Sequence, residues 1–246
     1  MKLNFLTFAS TNMSKERLTK EAKESGVFDS IISLTEKDLP CDFQQTLNKR
    51  IQRYGMRGYA YWSWKPYIIN STLAKMNDGD FLLYMDAGSH LNVNERSLDT
   101  LYKCIEDMKT LPLQITGIKT SSDDLQYTTG KLVKYVSEYY GHTFTTEQLG
   151  SKQICAGTIL MIKNDLSVKA ISDFNSICNN KFELITDIYN NDPDNAKNFI
   201  DNRHDQSVWS LITKYYGVLP YKIGGYCKEW DMLRDYPIWH TRKKYS

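Results

Sequence analysis

The chain has 246 residues, 41% of them hydrophobic and 24% charged, a balance that favours a folded globular domain over a disordered segment. Its formal net charge of +2 gives no general attraction to nucleic acid or to an anionic membrane. Nothing divides the chain into halves, so one domain over residues 1–246 is expected. Five scattered cysteines (Cys41, Cys104, Cys155, Cys178, Cys227) form no CxxC pair and cannot all close into disulfides, which suits a reduced, cytoplasmic setting. The apolar start at Lys2–Phe8 is too short for a signal peptide, and no run approaches the ~18 apolar residues of a membrane span. Any membrane contact is then expected to be peripheral, at an inner membrane face, through the basic tail Arg242, Lys243 and Lys244, for which a frayed, solvated end is the plain alternative.

In chain order, Lys2 to Phe8 alternates as a first buried strand. Ser14 caps a helix that runs to about Ser25, with Gly26 just past its end. Ser30 to Leu34 is a second strand, and Asp38 to Tyr54 carries helical spacing through Phe43, Leu47 and Ile51. Lys65-Pro66 opens another helix, bearing Ile68, Ile69, Leu73 and Met76. The turn Asn77–Asp80 leads into Phe81–Met85, an unbroken apolar run typical of a strand covered on both faces. A helix over Asn94–Met108, a strand over Leu113–Ile118, a helix over Lys131–Tyr140, a strand over Ile154–Ile162 and a helix over Ser207–Tyr216 follow. This alternation predicts an α/β fold: a mostly parallel central sheet flanked by helices on both faces, with ligands beyond the carboxyl ends of the strands.

The first strand ends in Thr7-Phe8-Ala9-Ser10, without the glycines of a dinucleotide fingerprint. There is no GxxxxGK[ST] loop, no GxSxG elbow and no HExxH helix. The strongest positive signal is Phe81-Leu82-Leu83-Tyr84-Met85-Asp86-Ala87-Gly88. A carboxylate at the tip of a buried strand reaches either a divalent cation on a diphosphate or the ribose hydroxyls of a nucleotide. Gly88 lets backbone approach a sugar closely. With 13% aromatic residues, the chain is rich in faces that stack on bases and sugars. The stretch Arg57–Pro66 joins such aromatics, Trp62 and Trp64, to two cations, Arg57 and Lys65, suited to a diphosphate. Arg203-His204-Asp205-Gln206 clusters four hydrogen-bonding side chains at a helix start, where a simple cap is the plain alternative.

Tyr84-Met85-Asp86-Ala87-Gly88 resembles the YxDxD strand end of GT-A glycosyltransferases, nearest the glycogenin-like and lipopolysaccharide-galactosyltransferase-like enzymes. Gln153–Ile162, with its Ala156-Gly157 pair, is similar to that group's "NAG" strand. Arg203–Ser207 before an amphipathic helix is similar to its "DQ" helix start. With Trp62-Ser63-Trp64-Lys65-Pro66, the chain looks like a member of a bacterial and viral polysaccharide glycosyltransferase family. These spaced motifs cover about two thirds of the chain. The resemblance implies a GT-A-like fold and transfer of a sugar from a nucleoside-diphosphate donor, UDP-linked, to a hydroxyl of a glycan or lipid-linked saccharide.

It also implies site residues. Phe8, Ala9, Ser10, Arg57, Trp64, Lys65, Asp86, Ala87, Gly88, Gln153 and Gly157 are expected to bind the donor. Asp86 and His240 are the expected ligands of Mn²⁺ or Mg²⁺, although Gly88 stands where the pattern has a second aspartate. Asp205 either binds donor hydroxyls or acts as base in an inverting reaction. Gln206 holds the anomeric region in a retaining one, and His204 orients either. Two other classes stay open: a nucleotidyltransferase, which would want a Gly-rich basic loop after the first strand, and a non-catalytic nucleotide- or sugar-binding module.

Overall fold

The computed structural model describes residues 1–10, 12–225 and 230–240. Cys227 and the basic tail Arg242–Lys244 lie outside them. Five strands form the central sheet: β1 (Leu3–Phe8), β2 (Ser30–Leu34), β3 (Phe81–Asp86), β5 (Ile115–Asp123) and β6 (Lys152–Ile162), in the order β2-β1-β3-β6-β5. β1 pairs in parallel with both β2 and β3, whereas β6 is antiparallel to β3 and β5. Four strands therefore share one direction and β6 opposes them. Two-residue strands β4 (His90–Leu91), β7 (Gly224–Gly225) and β8 (Ile238–Trp239) make a small second sheet, ordered β4-β8-β7. The expected α/β class is borne out. No helix among the described residues is long and apolar enough to cross a membrane.

The period of two along each strand divides the core. In β3, Phe81, Leu83 and Met85 join Phe5 of β1 and the helices Asn12–Glu24 and Glu95–Met108 on one face. Leu82 and Tyr84 join Leu6 and Phe8 on the other, under the helices Cys41–Tyr54, Trp64–Leu73, Asp165–Asn180 and Asp205–Tyr216. Residues 81–85 have no exposure at all, which explains the unbroken apolar run. Each such side chain contributes roughly 1.5–3 kcal/mol by leaving water. The same alternation puts Asp86 on the face of Tyr84.

One expected boundary moves for an identifiable reason. The helix expected from Asp38 starts at Cys41, because Leu39 precedes Pro40 and is extended (φ −78°, ψ 148°). Glu36–Asp38 instead forms a short 3₁₀ turn closed by Thr35 and Asp38. One long helix, Asp165–Asn180, has no counterpart among the expected elements. It has an Asn164/Ser167 capping box and buries Ala170, Ile171, Phe174, Ile177 and Cys178 at helical spacing.

The segment before the Trp64–Leu73 helix has an unexpected hand. Gly58, Tyr59, Ala60, Tyr61 and Trp62 all have positive φ, from 51° to 64°. Tyr61 N donates to Arg57 O (2.6 Å) and Trp62 N to Gly58 O (3.1 Å), so this is a turn of left-handed helix. Each non-glycine residue there costs roughly 1–2 kcal/mol, which the surroundings must offset. Tyr61 OH donates to Tyr54 O (3.0 Å), Trp64 Nε1 to Gly58 O (3.1 Å) and Asn179 Nδ2 to Ser63 O (3.1 Å). Arg50 ties Ser63 Oγ (3.1 Å) to Asn179 (2.6 Å). At Gly58 a Cβ would lie 2.3 Å from the Trp62 ring. Gly58→Ala is therefore expected to destabilise the fold by about 2–4 kcal/mol, read as a lower urea midpoint; an unchanged midpoint would argue against this turn.

Candidate active site

A cleft of about 1320 Å³ opens beyond the carboxyl ends of β1 and β3, the edge where α/β sheets bind ligands. Phe8, Ala9 and Ser10 follow β1, and Asp86, Ala87, Gly88 and Ser89 follow β3. Since β6 runs the other way, it presents Ala156 and Gly157 from its interior. The left-handed turn lends Gly58, Tyr59 and Trp62, and the start of the Asp205–Tyr216 helix lends His204, Asp205 and Gln206.

At the bottom lies an ammonium between two carboxylates. Lys65 Nζ is 2.6 Å from Asp205 Oδ2 and 3.3 Å from Asp86 Oδ1. Tyr84 OH also donates to Asp86 Oδ1, at 2.6 Å. Lys65 and Asp205 are 2% and 4% exposed, while the Asp86 side chain keeps 38% of its surface open to the cleft. Burial alone would lower the Lys65 pKa, but the charges of Asp205 and Asp86 outweigh it and hold the ammonium protonated. Burial pushes the Asp205 carboxyl up to about 6, and Lys65 offsets part of that rise. Burial and the neighbouring Asp86 raise the Tyr84 phenol well above its ordinary value, so it stays a donor.

The residues around Asp205 are fixed individually. His204 takes an uncommon backbone conformation (φ 59°, ψ −124°) that turns the chain into the helix. Its ring is 3% exposed, stacks 5.6 Å from Trp62, and donates from Nδ1 to Ile185 O at 2.8 Å. Burial lowers its pKa, so it is a neutral imidazole that orders the turn. Gln206 is oriented through a relay. Asp124, 1% exposed, can only accept, and it takes hydrogen bonds from Thr128, Ser210, Lys214 and Gln153 Nε2. Gln153 must then turn its carbonyl to Gln206, whose Nε2 donates to it at 2.8 Å. The carbonyl oxygen of Gln206 is left to accept from a ligand.

Most of the expected site residues meet at this one cleft, but several do different work from that expected. Gln153 has no exposure and does not line the cleft; it stands behind Gln206. Trp64 is 5% exposed with one face stacked on Phe8 (centroids 4.0 Å apart), so it is wall rather than platform. Arg57 is engaged by Asp187 (3.0 and 3.1 Å) and Asp201 (3.4 Å). His240 is 7% exposed, with Nδ1 at 3.0 Å from Ser89 Oγ and Nε2 at 3.1 Å from Thr158 Oγ1. With both ring nitrogens near hydroxyls, Gly88 lacking a carboxylate and Asp86 Oδ1 already shared, the described residues as placed do not make a shell for Mn²⁺ or Mg²⁺. Among the described residues no three His, Cys, Asp or Glu side chains group to hold a metal ion. Glu36, Tyr59, Tyr127 and Arg203 also line the cleft without having been assigned to it. The one available signal was for Tyr84, two residues before Asp86 on the same strand face.

The buried ion cluster has a testable energetic signature. Lys65→Met leaves two carboxylates without their cation and is expected to cost about 3–5 kcal/mol. The neutral pair Lys65→Met/Asp205→Asn is expected to recover at least half of that loss in chemical denaturation. Additive losses would show that the two groups are not coupled.

No protein-family model matches the chain, and no curated protein does. Among solved structures the chain is similar to a glycosyltransferase involved in the glycosylation of the major capsid of PBCV-1. That match has 10% identity over 98% of this chain and 93% of the other, at a TM-score of 0.49. It is also similar to mouse xyloside xylosyltransferase 1 in its apo form, with 11% identity over 97% and 96% of the two chains and a TM-score of 0.42. Both scores lie below 0.5, and the chemistry of this chain rests on its own residues.

Proposed function

We propose that the chain is a GT-A-type glycosyltransferase that moves a sugar from a nucleoside-diphosphate donor, UDP-linked, to a saccharide hydroxyl. The observation that carries this reading is the Asp86–Lys65–Asp205 cluster at the floor of a cleft large enough for a nucleotide sugar. Asp86 is its accessible carboxylate, and it stands beside a strand that carries no side chain at Gly157. A Cβ at that position would sit 2.8 Å from Asp86 Oδ2, so glycine keeps the space where a donor hydroxyl meets the carboxylate.

In the reaction the bond from the anomeric carbon to the diphosphate oxygen breaks, and its electron pair leaves on that oxygen. A bond forms to the acceptor oxygen, whose proton needs a base. Asp205 suits that task, because a carboxyl titrating near 6 is ionised at neutral pH yet more basic than an ordinary aspartate. Lys65 holds it in place. The Gln206 carbonyl oxygen, set by the Gln153 relay, offers an acceptor to the sugar or to positive charge developing at its anomeric carbon.

Two measurements test this. On incubation with a panel of UDP-hexoses, the protein is expected to release UDP, slowly to water and faster with a saccharide acceptor. Asp86→Ala should lower that rate at least about 100-fold without unfolding the chain; full turnover in this variant would sink the site assignment. UDP binding without turnover of any nucleotide sugar would favour a binding module instead. As pH falls below about 6, protonation of Asp205 should remove kcat/KM roughly tenfold per unit. Asp205→Asn should lose about 10²–10⁴ of the rate, and any residual activity should lack that acid limb. A limb that persists in Asp205→Asn would assign the base elsewhere.

A further inference from the structure

We infer that Arg203 is the side chain that grips the diphosphate of the donor, a proposal that rests on the nucleotide-sugar reading above and names one contact within it. Among the described residues, Arg57, Lys65 and Arg203 are the lysines and arginines lining the cleft. Two of the three are already committed. Arg57 spans Asp187 and Asp201, and Lys65 lies between Asp205 and Asp86. A cation that has exchanged water for a carboxylate is a weak attractor for a further anion; moving Lys65 would leave buried Asp205 unpaired, and Arg57 would have to give up two partly exposed carboxylates.

Arg203 differs in each respect. None of the ion pairs among the described residues includes it, and its Nε is buried without a hydrogen-bond acceptor. An unpaired buried N–H on a cation costs free energy that an incoming oxyanion would return. The guanidinium lies 4.4 Å over the Tyr127 ring, a residue that also lines the cleft. That stack fixes the plane of the fork before a ligand arrives, so less side-chain entropy is lost on binding. The backbone beneath is equally fixed. Arg203 N donates to Tyr127 O (3.1 Å) and to Ser207 Oγ (3.1 Å), and the preceding residue, fully buried Asn202, donates from Nδ2 to Leu184 O and Thr186 O.

Position completes the case. Arg203 is two residues from Asp205 and lines the same cleft, so an anion on its fork would share that cleft with the group that would take the acceptor proton. A leaving diphosphate gains negative charge as the glycosidic bond breaks, and a planar fork matches two of its oxygens. Among the described residues, Arg203 is the cleft-lining cation with no carboxylate partner, and so the one free to meet that charge. Sequence reasoning assigned the role to Arg57 and Lys65 instead, because their carboxylate partners lie 130 or more residues away in one case and 21 or more in the other.

The test measures binding of UDP, uridine and inorganic pyrophosphate by calorimetry in EDTA, and of UDP again with Mn²⁺. Wild type is expected to bind UDP at least tenfold more tightly than uridine without any metal, and to bind pyrophosphate. Arg203→Ala should weaken UDP and pyrophosphate about 10- to 100-fold and leave uridine within twofold. Arg203→Lys should restore part of the loss, and Tyr127→Leu should weaken UDP about three- to tenfold with the charge intact. Equal UDP affinity in wild type and Arg203→Ala would overturn the inference, as would binding that needs Mn²⁺ and ignores the substitution. Arg203-dependent pyrophosphate binding with no cleavage of any UDP-sugar would instead keep the anion site and remove the glycosyl-transfer reading.

Discussion

The structure turns on one ammonium, that of Lys65, placed out of reach of water between two carboxylates. Removing such charges from water costs several kcal/mol per ion, and only close, well-directed contacts offset it. The 2.6 Å contact to Asp205 is of that kind; the 3.3 Å contact to Asp86 is looser. The asymmetry suits a site in which one carboxylate is locked and the other is kept accessible. The surrounding elements can be understood by how they bring these three groups together. The period of a strand aligns Asp86 with Tyr84, a left-handed turn sets the start of the helix that bears Lys65, and the bend at His204 delivers Asp205.

The rest of the fold keeps that cluster from relaxing. Arg17, on a helix behind the sheet, donates to Ala87 O (2.9 Å) and Ser89 O (2.8 Å), which pins the loop after Asp86 from its far side. Glu21 accepts from Leu91 N (2.9 Å) one turn further along that helix. On the other flank, the small second sheet brings His240 to Ser89. The loop is thus held by helix, strand and imidazole at once, as a preorganised site requires.

Patterns confined to one element were legible in the sequence. The strand cores, the carboxylate at the tip of β3 and the polar cluster at the start of the last long helix all follow from periodicity and from where α/β sheets bind ligands. The helix over Asp165–Asn180 was legible too, through Asn164, Ser167 and the spacing of its apolar residues, yet found no place among the expected elements. Engagement between distant elements was not legible. Nothing near Arg57 announces Asp187, nothing near Gln153 announces that it serves Gln206, and no local feature says that Ser89 and Thr158 occupy both nitrogens of His240. Each of those residues has the right chemistry for a ligand, and each has already spent it inside the protein. The hand of the turn at Gly58–Trp62 was equally hidden, since Tyr, Ala and Trp carry no preference for it.

β6 opposes its neighbours, and under the proposed nucleotide-sugar reading its direction bears on how the cleft would tell one sugar from another. Loops that follow parallel strands can rearrange around a ligand, but Ala156 and Gly157 lie inside β6, between its pairs with β5 at Ile154 and Ile159 and next to its last pair with β3 at Thr158. That wall is anchored by ladder pairs on either side of it, at Ile154 and at Thr158 and Ile159, and so has less freedom than a loop. Discrimination there would be largely steric: a ring substituent would have to clear the backbone at Gly157, where even a Cβ would sit 2.8 Å from Asp86 Oδ2. Adaptation to new donors would come from the opposite wall, where Tyr59, Trp62 and the Thr120–Ser122 stretch meet the cleft from turns and the open end of β5.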